Sequence, residues 1–150
     1  MRAIKKNKRF VYLISPNKIK NEEFYTTLNQ VLSSKKVSFF QLRLKKESFK
    51  KKIYIGKKIK KICKKHNVPI IEDAAESLGA SYGKNKCGSF GEMAIVSFNG
   101  NKIITTSGGG MLLSNNQKYI KKARKLASQA KEDYLHYEHI ELGYNYRMSN

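Results

Sequence analysis

The sequence predicts an α/β fold with parallel strand pairing, and three observations carry that expectation. Short apolar runs bounded by turn residues alternate with longer segments of helical period. The runs are too short for helices and rich in Val, Ile, Leu and Phe, as strands covered on both faces are. Polar and charged residues gather directly after several runs, at the carboxyl strand ends where α/β proteins collect ligands.

The first strand is expected over residues 10–14, Phe-Val-Tyr-Leu-Ile, because the turn Ser15-Pro16-Asn17 closes it. A helix follows, with Phe24, Leu28, Val31 and Leu32 at helical spacing after Asn21-Glu22-Glu23, whose acids suit a helix N-terminus. Residues 37–42 form the second strand. A lysine-rich helix over 48–66 is expected to bury Ile53, Ile59, Ile62 and Cys63. The next strand, Val68-Pro69-Ile70-Ile71, runs into Glu72-Asp73, and 74–80 are expected to make a helical turn. Strands over 94–98 and 110–113 follow, then a helix over 116–130 with Tyr119, Ile120, Ala123, Leu126 and Ala127 on one face. No internal repeat or low-complexity linker interrupts the pattern.

A chain of 150 residues with 40% hydrophobic residues can bury one ordinary core. Its charge is uneven. Residues 1–68 hold 21 Lys and Arg against 3 Asp and Glu, a net of +18, whereas residues 69–150 hold 10 against 8, a net of +2. Clustered cations can mark a nucleic-acid-binding module, with Phe39 and Phe40 available for stacking on bases. Two other readings stand beside it: a compositional bias toward Lys, Ile and Asn, and separate origins for the two halves.

Cys63 and Cys87 form no C-x-x-C pair, so a reducing cytoplasm is the expected location. Lys5, Lys6, Lys8 and Arg9 precede an apolar run too short for a signal core or a membrane span, so no membrane partner is expected. His136, Glu138 and His139 have metal-like spacing but lack further ligands, and no metal is expected there.

The second half carries chemistry. Lys102 stands in Ser97-Phe98-Asn99-Gly100-Asn101-Lys102, with Gly108-Gly109-Gly110 after it and Glu72-Asp73-Ala74-Ala75-Glu76-Ser77 before it. A pyridoxal phosphate site needs an amine for the aldehyde, a carboxylate to keep the pyridine nitrogen protonated, and hydroxyl and backbone donors for the phosphate. Lys102, Asp73 and Ser97 are of those types. Asp73 could equally cap a following helix, and the glycines could be a plain turn or a place where backbone approaches a cofactor.

From Pro69 onward the chain resembles the DegT/DnrJ/StrS group of pyridoxal phosphate-dependent nucleotide-sugar aminotransferases. The resemblance implies catalytic roles for Lys102, the covalent attachment point and later a proton carrier, and for Asp73 at the ring nitrogen. It also implies cofactor contacts from Glu76, Ser97 and, across a homodimer interface, Asn145 in Gly143-Tyr144-Asn145-Tyr146-Arg147-Met148. Gln129-Ala130-Lys131 and His136-Tyr137-Glu138-His139 are similar to members acting on UDP-linked 4-keto-6-deoxy sugars, with glutamate as amino donor, in surface polysaccharide biosynthesis.

The first half differs. Val11-Tyr12-Leu13-Ile14-Ser15-Pro16 and Gln41-Leu42-Arg43-Leu44-Lys45 resemble the first two βα units of thiamine phosphate synthase, a TIM barrel. That resemblance implies pyrophosphate contacts from Gln41, Arg43 and Lys45 and a Mg2+ cofactor. The combined expectation is a partial large-domain sheet of an aminotransferase (69–150) joined to two βα units of a TIM-barrel-like segment (1–68). Complete members of the aminotransferase family are more than twice this length, so a joined or truncated reading frame with its seam near Val68 is expected.

Overall fold

The computed structural model describes residues 10–148; the basic run Lys5, Lys6, Lys8 and Arg9 lies outside them. The chain divides into two compact units between Val68 and Pro69.

In the first unit, strand β1 (Tyr12–Ile14) pairs in parallel with β2 (Phe39–Gln41), Tyr12 opposite Phe39 and Ile14 opposite Gln41. Between them runs helix α1 (Glu23–Ser33), whose first turn carries Glu23 and whose buried Leu28 and Leu32 lie four apart on one face. Helix α2 (Phe49–Lys65) starts at Ser48, whose hydroxyl accepts a hydrogen bond from the Lys51 amide, and ends with Lys64 and Lys65 in its last turn. Ile55, Ile59 and Cys63, at intervals of four, form its buried stripe. Ile53 was expected there in place of Ile55. It lies about 200° around the helix from Ile55 and is only half-buried, as is Ile62.

Lys58 on α2 bonds Glu22 at 2.6 Å, and His66 Nε2 meets Asn29 Oδ1 at 2.9 Å, so the N-cap and the middle of α1 are tied to α2 and its C-cap. Phe40 faces Phe24 of α1, whereas Tyr12, Ile14 and Phe39 on the alternate face are more than half exposed.

The second unit is built on a three-stranded sheet in the order β3 (Ile71–Asp73), β6 (Met93–Ser97), β7 (Gly110–Leu113), with a small hairpin β4 (Ser81–Tyr82) and β5 (Asn85–Lys86) between the first two. Strands β3 and β6 are parallel, Asp73 opposite Ile95. β6 and β7 are antiparallel, against the parallel pairing expected throughout. A parallel return requires a crossover. The segment joining these strands instead folds straight back, with Thr106 N bonded to Phe98 O and Phe98 N to Gly109 O.

β3 also begins three residues later than expected. Pro69 has no amide to give, and Ile70 is held by Glu92, whose carboxylate accepts the Ile70 amide at 2.5 Å. Residues 74–80 form two successive turns rather than a helical one, Ser77 N to Ala74 O and Ala80 N to Ser77 O, before the unforeseen hairpin turns at Gly83 with φ +60°.

Helix α3 (Gln117–Ala127), capped by the Asn116 side chain on the Lys118 amide, packs on β7. It stops short of residue 130 because Gln129 and Ala130 take positive φ, beyond which a right-handed helix cannot continue. Ala94 and Val96 are buried on one face of the sheet, and Ile71 and Ile95 are exposed on the other. Among the described residues no helix is long and apolar enough to cross a membrane.

Candidate active site

Because β3 and β6 run parallel, their carboxyl ends lie at one edge of the sheet. Asp73 ends β3 and Ser97 ends β6. Asp73 pairs with Ile95, and Ser97 is two residues further along, so both project from the same, open face. Asp73 is exposed, its Oδ1 accepting the Ala75 amide at 3.2 Å within the turn that leads away. The next residue, Ala74, is buried to 1% and continues the pairing through its amide to Ile95 O at 3.0 Å.

Lys102 follows β6 in a turn closed by its own amide on Asn99 O at 3.0 Å. Its side chain is 15% exposed, and its Nζ forms an ion pair with Glu76 Oε1 at 2.8 Å. Glu76 lies three residues beyond Asp73, so this pair bridges the segments that leave the two parallel strands. The hydrogen bond from Lys102 holds the Glu76 carboxyl below its ordinary range.

A carboxyl whose folded value is depressed stabilises the fold above its ordinary pKa and loses that contribution as pH falls through the depressed value. Loss of the bridge is therefore expected at pH below 4.5. The protection factors of amides 99–106, taken relative to the intrinsic rate at each pH, should fall there in the wild type, and Glu76→Gln should show the lower protection at neutral pH as well. Equal rates in both proteins at pH 7 would mean that the bridge holds nothing.

The loop between Lys102 and β7 leaves backbone accessible at its end. Ser107 and Gly109 have φ of +63° and +97°. At Gly110 an added Cβ would lie 2.5 Å from Val96 O, so the strand pairing itself requires glycine there.

Asn145 is placed elsewhere. It forms an isolated bridge to Ser128 beyond α3, and its Oδ1 accepts from Arg147 Nε at 3.2 Å. His139 Nδ1 meets Gln129 O, and His136 pairs with Glu138.

In the first unit, Gln41 ends β2 and Arg43 and Lys45 follow it, both exposed. Buried Ser15, after β1, binds this segment twice: its amide donates to Gln41 O at 2.9 Å, and its hydroxyl accepts the Arg43 amide at 2.9 Å. Glu47 then accepts the Ile19 amide at 3.0 Å. A cationic loop is thereby fixed at the carboxyl edge of β1 and β2. Glu22 and Glu47 are engaged by Lys58 and Lys51, and the described residues contain no grouping of His, Cys, Asp or Glu that could hold a metal.

Sequence reasoning missed Glu72, whose two carboxylate oxygens accept the amides of Gly88 and Phe90 at 2.8 and 3.0 Å. Its only signal was its place beside Asp73.

Two family models match consecutive, overlapping parts of the chain. The DegT/DnrJ/EryC1/StrS aminotransferase family matches residues 56–150, and thiamine monophosphate synthase matches residues 11–81. A Bacillus subtilis protein named for pyridoxal phosphate-dependent aminotransfer, EpsN, is 62% identical over 89 residues, 59% of this chain and 23% of that protein. The Campylobacter jejuni UDP-4-amino-4,6-dideoxy-N-acetyl-beta-L-altrosamine transaminase is 43% identical over 94 residues, 61% of this chain and 25% of that protein. Thiamine-phosphate synthase of Pelagibacter ubique is 65% identical over 71 residues, 47% of this chain and 34% of that protein. Among solved structures, the aminotransferase TlmJ of Streptoalloteichus hindustanus superposes with a TM-score of 0.53 at 31% identity, covering 59% of this chain and 24% of that one. The chain thus spans about a quarter of the length of these aminotransferases and a third of the thiamine-phosphate synthase.

Proposed function

The chain belongs to the DegT/DnrJ/EryC1/StrS aminotransferase family, and from that premise we propose that its second unit is the cofactor-binding part of a nucleotide-sugar aminotransferase. The observation that carries this reading is the shared sheet edge: Asp73 and Ser97 on one face, with Lys102 held beside the Asp73 turn through Glu76. The donor set fits pyridoxal phosphate, which supplies an aldehyde and a ring that accepts electrons.

Lys102 would be the covalent attachment point and would afterwards carry a proton at Nζ, for which it would have to leave Glu76. Asp73, exposed at the end of β3, would keep a proton on the ring nitrogen. The Ser97 hydroxyl, with amides of the turn after it, binds the phosphate, and Glu76 lies against the cofactor once its lysine is withdrawn. Asn145, on its separate segment, serves the phosphate of a second subunit in a homodimer. The UDP-aminosugar chemistry in the Campylobacter relative's name supports a nucleotide-linked 4-keto-6-deoxy sugar as amino acceptor. Glutamate is proposed as donor, surface polysaccharide biosynthesis as the setting and the cytoplasm as the compartment, where Cys63 and Cys87, which carry no disulfide, are at home.

A second reading is favoured by the Pelagibacter match. In this reading the first unit would carry a diphosphate-binding loop like that of thiamine phosphate synthase, on two βα units of a TIM-barrel-like segment, with Gln41, Arg43 and Lys45 as its contacts, and the match over residues 11–81 supports it. An Arg and a Lys presented from a strand end suit a diphosphate. In this proposal the chain is composite, its segments 1–68 and 69–150 derived from two enzymes, with the doubly matched residues 56–81 spanning the join.

Calorimetry of the 150-residue chain with inorganic pyrophosphate, and separately with pyridoxal phosphate, tests both halves. Arg43→Ala should weaken pyrophosphate binding about tenfold, the equivalent of ~1.4 kcal/mol, and leave pyridoxal phosphate binding as it was. Equal pyrophosphate affinity in wild type and variant would remove the second reading.

A further inference from the structure

We infer that Glu72 is a positioning residue that sets the aim of Asp73, an inference that rests on the cofactor reading above. In a strand, neighbouring side chains point to opposite faces, so Glu72 and Asp73 are turned away from each other. Asp73 is exposed on the open face, and Glu72 is half-buried on the face that carries Ala94 and Val96.

β3 is only three residues long, and a strand this short has little ladder to hold its twist. The fixation comes from side chains. The Glu72 carboxylate spans two amides of one loop, Gly88 at 2.8 Å and Phe90 at 3.0 Å, which are charge-assisted bonds. That loop is itself rigidly seated. Gly88 has φ +93°, and an added Cβ there would lie 3.1 Å from Leu113 Cδ1 on β7; at Gly91 a Cβ would lie 2.5 Å from Ile70 O. On the other side of Asp73, buried Ala74 bonds Ile95 O. Asp73 therefore sits between two anchored neighbours, and freeing Glu72 leaves its carboxylate able to swing from the ring nitrogen.

Glu72→Gln in the full chain tests this. The amide of Gln presents a donor to one loop N–H, so one of the two bonds is lost with little change in volume. Exchange of the Gly88 and Phe90 amides should accelerate about tenfold without cofactor. With pyridoxal phosphate bound, the pH midpoint of the visible absorption band should move by about one unit in the direction produced by Asp73→Asn. Glu72→Asp, too short to span both amides, should give a shift of the same sign and at least the same size, and serves should the Gln variant not fold.

Faster loop exchange with an unmoved midpoint would mean that Glu72 is merely structural, which overturns the inference. A wild-type chain that takes no cofactor on Lys102 overturns the cofactor reading and the inference together. A wild type that does, with both variants at its midpoint, overturns the inference alone.

Discussion

Lys102→Ala is expected to abolish the borohydride-stable adduct between the chain and pyridoxal phosphate, a loss of at least a hundredfold in yield at matched concentration. The physical reason is selectivity. The sequence holds 26 lysines, half of them on helices α2 and α3, and any of them can react with an aldehyde in a slow, unselective way. Lys102 differs in being 15% exposed and placed at the sheet edge that carries Asp73 and Ser97. On the reading proposed above, a cofactor held by Asp73 and Ser97 would react with that amine at an effective concentration no surface lysine meets. The measurement is intact mass after reduction, with a visible absorption band lost in parallel. Retention of a single stoichiometric adduct in Lys102→Ala would transfer the role to another amine.

The second large effect is on folding. Ile55 is fully buried, 0% exposed, at the centre of the α2 stripe, and Ile55→Ala removes its packing against the interior of the first unit. Such substitutions cost about 3 kcal/mol through lost transfer energy and the cavity left behind. A unit of about 60 residues with a two-stranded sheet and one open face has little stability in reserve. The variant should therefore lose most of the far-UV circular dichroism of the 17-residue α2 at urea concentrations where the wild type keeps it. Ile53→Ala, at the half-buried position about 200° around the helix, should move the midpoint much less. Equal shifts in the two variants would mean that the buried stripe is not where the structure places it.

The contrast between Ile53 and Ile55 shows where sequence reading reaches its limit. Both lie in an apolar-lysine pattern of the same period, and only the packing partner decides which side of the helix is inside. Features set by neighbouring residues were legible. The acidic start of α1 and the starts of α2 after Ser48 and α3 after Asn116 all depend on groups a few positions apart. Asp73 and Ser97 could be placed at strand ends from the sequence, since each closes an apolar run, whereas Lys102 lies in the turn five residues after Ser97 and its place beside Glu76 had no such signal.

What could not be read depends on contacts across the chain. The antiparallel sense of β7 follows from how the segment after Phe98 folds back. The Lys102 to Glu76 ion pair joins residues 26 apart, and the Glu72 bonds reach 16 and 18 residues ahead to a loop with no motif of its own. The two-unit organisation has a physical trace in the sequence, the break from +18 to +2 in net charge, and the contact boundary between Val68 and Pro69 falls at that break.

A crystal structure of the 150-residue chain grown with pyridoxal phosphate is the most direct measurement of the central claim. Continuous density from Lys102 Nζ to the cofactor's aldehyde carbon, with an Asp73 carboxylate oxygen within about 3 Å of the ring nitrogen, is the predicted result. A cofactor bound to a different lysine, or a ring nitrogen facing any group other than Asp73, would contradict it.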